Sequence, residues 1–197
     1  GYSPSYTPGV FVVFGALGTA SKLLNLKADQ VQQAIGIAGA NCPIPVHGKW
    51  SEATVLPTTK YADAGWCSMV GVGASLLASI GTTGYSTILD GNEHFWRAYG
   101  IDDCDFEAMT RNLGKEWHIL DTTYKPWPSC RYTHYPLWLF LRIKEENHLS
   151  PEDIKKVSIR MGPIGTASRF RNLSPIGGIS CQFNHPHIIA LGAFDIN

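Results

Sequence analysis

The run Lys125-Pro126-Trp127-Pro128-Ser129-Cys130-Arg131-Tyr132-Thr133-His134 puts a cation, a double-proline turn and a histidine within ten residues. Each proline holds its φ at about −65° and drives the residue before it out of the helical region. Lys125 and Trp127 are therefore expected to be extended and the turn stiff, with His134 at the start of a helix. An imidazole titrates close to neutral pH, so a histidine fixed beside a cleft serves as general acid or base. Read alone, the same histidine is more often a partly buried polar residue satisfied by backbone. A second group is His185-Pro186-His187. Taken as an extended segment it has metal-ligand spacing, and with His134 it offers three nitrogens to zinc or iron. The plainer reading is a histidine pair that caps or precedes a helix. Arg169 and Arg171, in a loop over residues 163–180, suit a bidentate clamp on a carboxylate or simply a solvated loop.

The elements that must position these groups follow from hydrophobic spacing. Val10, Phe14, Leu17, Ser21 and Leu24 repeat as a helix face, and Val31, Ala34, Ile35 and Ala38 repeat as a second one after a break at residues 25–29. Small residues along both permit close helix approach at some loss of propensity. Residues 42–59 read as a loop, Trp66 to Ile80 as a third long helix closed by Gly81 and Gly84, and Asp105 to Asn112 as a short helix ended by Gly114. Composition changes near residue 115. Residues 116–120 and 156–161 read as strands, the latter with Val157, Ile159 and Met161 on one buried face. Between them Arg131 to Asn147 reads as a helix despite Pro136, and Ser150-Pro151-Glu152-Asp153 as a capped start. The expected fold is mostly α with an α+β part: a helical-bundle domain over 1–118 and a smaller α+β lid domain over 119–197, with the boundary near residues 115–124.

Composition narrows the function. The 197 residues are 44% hydrophobic and carry 16 basic against 16 acidic side chains, which permits a real core and gives no electrostatic preference for nucleic acid. The five cysteines are widely spaced and form no C-x-x-C, so free thiols in a reducing compartment are expected. The apolar runs near 9–20 and 69–80 are too short and too interrupted to span a bilayer. The expected location is the cytoplasm or a mitochondrial matrix, with no membrane partner. Gly71-Val72-Gly73 lacks the preceding strand and the downstream acid of a dinucleotide site, so no nicotinamide cofactor is implied. The aromatic stretch Tyr132 to Phe140 suits a core or a dimer contact.

Several segments carry a family resemblance. Lys125 to His134 resembles the K-x-Y-P-x-C-x-x-x-H signature of the MmgE/PrpD family, that of 2-methylcitrate dehydratase and cis-aconitate decarboxylase, with Trp127 at the usual tyrosine or phenylalanine. Residues 60–100 resemble the family's K-x-x-x-x-G-W pattern, the apolar helix after it, the G-x-T-G turn and the L-[ED]-G…F element. Residues 8–40 are similar to its Ala-rich helix, L-x-L linker and following helix. Phe183 to Ala190 is similar to the segment F-S-[IL]-x-Y-x-x-A, which sets His187 at a family tyrosine near the substrate. The chain opens at Gly1 inside a motif, so it is expected to be a piece of a larger polypeptide.

The resemblance implies a cofactor-independent lyase, of dehydratase or decarboxylase type, on a small di- or tricarboxylic or hydroxy acid. An epimerase or isomerase, or a non-catalytic homologue acting as an interaction subunit, are the alternatives. It implies a homodimer, no metal, and a site in a cleft between helical domain and lid. Lys60, His134 and His187 would be catalytic, and Ser3, Asp63, Lys125 and Cys130 would contact substrate. Read without the family, Lys60 is an ordinary solvated lysine. A fixed ammonium beside a carboxylate matters because proton removal next to that carboxylate builds negative charge on it. Two positions depart from the family pattern: Ser3 and Asp63 each stand where many members have histidine, which favours a less anionic substrate than a tricarboxylate.

Overall fold

In the computed structural model, which describes residues 8–44 and 52–196, the chain gathers into two units, 8–44 with 59–117 and 52–58 with 118–196. The first unit is built on three helices, α1 Val12–Leu23, α2 Ala28–Asn41 and α3 Asp63–Ser79. Helix α1 buries Val13, Leu17, Ala20 and Ser21, a stripe at the spacing of one helix face. It stops at Asn25, whose φ of 54° is left-handed, a conformation asparagine tolerates better than most residues. Gln30 then accepts a hydrogen bond from the Lys27 N–H at 3.0 Å and opens α2.

Helix α3 packs against both α1 and α2, and its buried stripe is made of small residues: Cys67, Gly71, Ala74, Ser75 and Ala78. A Cβ at Gly71 would run into the Val13 carbonyl and sit 2.9 Å from the Leu17 nitrogen of α1. The glycine is what lets the two backbones approach. Beside it Ser75 Oγ lies 3.1 Å from Ser21 Oγ and donates to carbonyls of α1 or α3, so the polar atoms of this dry contact are satisfied. The turn after α3 packs in the same way on α2, where Gly84 meets Gly36 and the Gly84 N–H donates to Gln33 Oε1 at 2.9 Å. Phe95 and Tyr99 close the core against Phe11. Cys67 is fully buried there, and burial pushes its thiol up to about 12, with Cys42 beside it adding to the shift.

The second unit holds α4 Arg131–Glu146, α5 Gly178–Gln182 and α6 His185–Ala193, with α4 packed on α6. Pro136 lies inside α4, as expected. Asp153 accepts from the Ser150 N–H and hydroxyl at 2.8 and 2.6 Å, the start read from Ser150-Pro151-Glu152-Asp153.

The expected strands do not form. Among the described residues there is no strand, so the α+β character expected of the second part is corrected to helix and loop. Residues 118–121 make one 3-10 turn, and Ile119 and Leu120 are 77% and 82% exposed, leaving no buried face for a strand to present. Residues 155–161 carry no backbone hydrogen bond to any described residue. Their alternation does sort Val157, Ile159 and Met161 onto one face, against a cavity of about 520 Å³. Period two assigns faces, whereas a strand also needs a partner for its N–H and C=O groups.

Candidate functional site

The double-proline turn is stiffened by hydrogen bonds across it. The Ser129 N–H donates to the Trp127 carbonyl at 2.8 Å, closing a three-residue turn about Pro128, and Lys125 Nζ donates to the Ser129 carbonyl at 3.1 Å. Ser129 Oγ lies 2.8 Å from Thr133 Oγ1, which also bonds the Cys130 carbonyl. The Cys130 N–H donates to the Gln182 carbonyl at 2.9 Å and ties the start of α4 to the end of α5. Sequence spacing alone thus brings Lys125, Trp127, Cys130 and His134 together. The half-buried Cys130 packs towards Leu56, Phe170 and Phe183.

His134 occupies the first turn of α4, 6% exposed, with the edge of its ring against Trp127 at a centroid distance of 5.4 Å. Its Nε2 is buried without a hydrogen-bond partner. Burial holds its pKa below the ordinary histidine value, with the charges of Lys125 and Arg131 adding to the effect and the Ser129 and Trp127 carbonyls opposing it. His185 behaves alike: burial lowers its pKa against the pull of the Gly165 carbonyl, 3.0 Å from Nε2. Both imidazoles are therefore neutral in the folded protein at pH 7.

This has a measurable sign. The unfolded chain takes up protons at these histidines near about pH 6.5 while the folded chain resists, so below that pH the unfolded state binds more protons. Their contribution is complete above about pH 6.5 and is lost as the pH falls towards the lower folded-state values. The melting temperature is expected to be flat from pH 8 to about 7 and to drop below about 6.5. The His134→Gln, His185→Gln double variant should flatten that drop. An acid limb of equal slope in wild type and double variant would contradict the assignment.

His187 reaches the same region from α6. Asn184 caps this helix, accepting from the His187 N–H at 2.8 Å through Oδ1 and donating through Nδ2 to the Asn172 carbonyl at 2.6 Å. His187 borders a cavity of about 330 Å³ whose wall includes Trp127, Ser129, Cys181 and Leu191. His185 borders the larger cavity instead. The segment is helical rather than extended, and residues two apart on a helix point about 200° away from each other. The three-histidine metal arrangement is thereby corrected: among the described residues no three His, Cys, Asp or Glu side chains come together as ligands. Arg171 likewise borders the larger cavity, and Arg169 is buried with its guanidinium 4.8 Å from the Phe170 ring centroid, so the two do not form one exposed clamp.

Lys60 and Asp63 belong to the first unit. Lys60 is half-buried, its ammonium 5.2 Å from the centroid of the Tyr61 ring. Asp63 opens α3 and accepts from the Ala64 N–H at 2.8 Å, where a carboxylate is favoured by the helix dipole. Ser3 lies outside the described residues. Sequence reading missed the contributions of Cys181, Leu191 and Asp195 to the smaller cavity. They share no motif with Trp127; the packing of α4 on α6 and the bond from the Cys130 N–H to the Gln182 carbonyl bring them near it. No helix among the described residues is long and apolar enough to cross a membrane.

Compared with known families, residues 2–107 match the MmgE/PrpD N-terminal domain, more than half of the 197-residue chain. The match ends before Lys125. Among curated proteins no match is found.

Proposed function

The chain belongs to the MmgE/PrpD family, and from that premise we propose that it is a lyase of the dehydratase or decarboxylase type acting on a small carboxylic or hydroxy acid. The observation that supports this reading is that Ser129 links Lys125 to the cavity His187 borders. The ammonium of Lys125 lies 3.1 Å from the carbonyl of Ser129, and Ser129 and His187 border one cavity.

In this reading Lys125 holds a substrate carboxylate and His187 takes the proton from the adjacent carbon. The C–H electron pair becomes the new double bond, and the hydroxyl on the next carbon leaves, taking the proton back from the imidazolium as water. Charge that builds on the carboxylate during proton removal is met by the fixed ammonium. Return of the proton to the opposite face would give an epimerase, and loss of carbon dioxide builds the same charge. None of these steps changes an oxidation state overall, so the proposed chemistry calls on no redox cofactor. His134 is buried with its Nε2 enclosed, and that burial opposes protonation, so first place goes to His187. The part given to Lys60 rests on the family resemblance.

The test is a turnover panel of 2- and 3-hydroxy acids and unsaturated di- and tricarboxylates, without added cofactor, on wild type, Lys125→Ala and Lys60→Ala. At least one acid should be converted, with kcat/KM lowered about 10²-fold or more in Lys125→Ala. No conversion of any acid, or equal conversion by wild type and Lys125→Ala, would overturn the proposal.

A further inference from the structure

We infer that the cavity beside His187 receives an apolar substituent of a substrate bearing one carboxylate, so that the preferred substrate is an alkyl- or aryl-substituted 3-hydroxy acid and not a tricarboxylate. The inference rests on the lyase reading above and adds the class of substrate to it.

Charge decides the matter first. No lysine or arginine borders the cavity. Its one acid, Asp195, is already paired with Lys144, whose Nζ lies 2.7 Å away. Two cations reach lining residues: Lys144 is neutralised by Asp195, whereas Lys125 donates to the Ser129 carbonyl. One carboxylate can therefore be met by Lys125. A second or third, pushed deeper, would lose its water beside an ion pair that is already balanced, a cost that outweighs any contact it could make.

The walls then say what does fit. Beyond Ser129 most of the lining is apolar, with Trp127, Leu137, Leu141, Ile188, Leu191 and Ile196, and Gln182 and Cys181 add neutral groups that carry no counter-charge. About 330 Å³ is at the small end for ligand sites, room for a branched alkyl or phenyl group on a short acid. An alkyl or aryl group in such a space raises affinity about tenfold or more over the bare acid, since each buried carbon adds to the preference. Trp127 matters twice, because the ring that forms this wall is also held by His134.

Calorimetric titration of the full chain with 3-hydroxypropanoate, 3-hydroxy-5-methylhexanoate, 3-hydroxy-3-phenylpropanoate and citrate tests the inference without needing turnover. The two apolar acids should bind at least tenfold tighter than 3-hydroxypropanoate, and citrate weaker than either. Filling the space with Leu191→Phe or Ile188→Phe, each checked for an unchanged melting temperature, should bring the apolar acids down to the level of 3-hydroxypropanoate. Tighter binding of citrate, no gain over 3-hydroxypropanoate, or an unchanged preference in whichever filled variant stays folded would each overturn the inference. Binding that follows the expected order with no conversion of any acid would instead remove the lyase reading and leave the ligand class standing. Conversion of tricarboxylates in preference to the apolar acids would do the reverse.

Discussion

Replacing His187 with alanine is expected to lower kcat by about 10²–10⁴-fold on whichever acid is turned over, the range typical for removal of a positioned proton carrier. The fold should survive the change. The side chain of His187 is half-buried, and what holds this turn of α6 is backbone: Asn184 Oδ1 accepts from the residue-187 N–H, a bond alanine keeps. Isotope exchange separates proton transfer from mere lining. Wild type should exchange the hydrogen next to the substrate carboxylate with deuterium from solvent, and His187→Ala should lose that exchange together with kcat. His187→Gln keeps a hydrogen-bond donor but offers no base, so it should not restore the rate. If His187→Ala retains both the rate and the exchange, the proton is carried elsewhere, and His134 becomes the group to examine.

Valine at Gly71 is expected to destabilise the first unit by about 3 kcal/mol or more. The added Cβ has nowhere to go, since it meets the Val13 carbonyl and the Leu17 nitrogen, backbone atoms that move only if α1 and α3 separate. Separation also breaks the buried bonds from Ser75 Oγ to Ser21 and to the Leu17 carbonyl; Ser75 keeps the Gly71 carbonyl, but the Ser21 hydroxyl loses its partner. Gly73 is the control within the same helix. A Cβ there meets nothing within 4 Å, so Gly73→Ala should be neutral or stabilise by about 0.5–1 kcal/mol through helix propensity. Urea denaturation followed by helical circular dichroism distinguishes the two. Equal midpoints for both variants would show that α1 and α3 do not depend on this close approach.

The legible part of the chain is the part set by neighbours in sequence. Helices α1, α2, α3 and α4 announce themselves through one-faced apolar spacing, and the stiff turn from Lys125 to Ser129 follows from two prolines whose φ values are fixed covalently. His134 at the start of α4 and the capped start at Ser150 are local in the same sense. The small-residue stripe from Cys67 to Ala78 signals close packing, though not which helix it meets.

What only the folded chain decides is every relation between segments far apart. Residues 156–161 alternate like a strand, but a ladder requires a second segment, and no described residue supplies it. His185 and His187 look alike in the sequence. Helical geometry turns one into a buried neighbour of Phe170 and the other into the wall of a different cavity. The residues that make that cavity apolar, Leu137 and Leu141 from α4 with Ile188 and Leu191 from α6, meet because two amphipathic helices bury their faces against each other. Sequence by itself therefore determined the family, the helices α1 to α4 and the chemical groups available. Tertiary packing decided which of those groups share a space, because burial and charge pairing depend on distance through space and not along the chain.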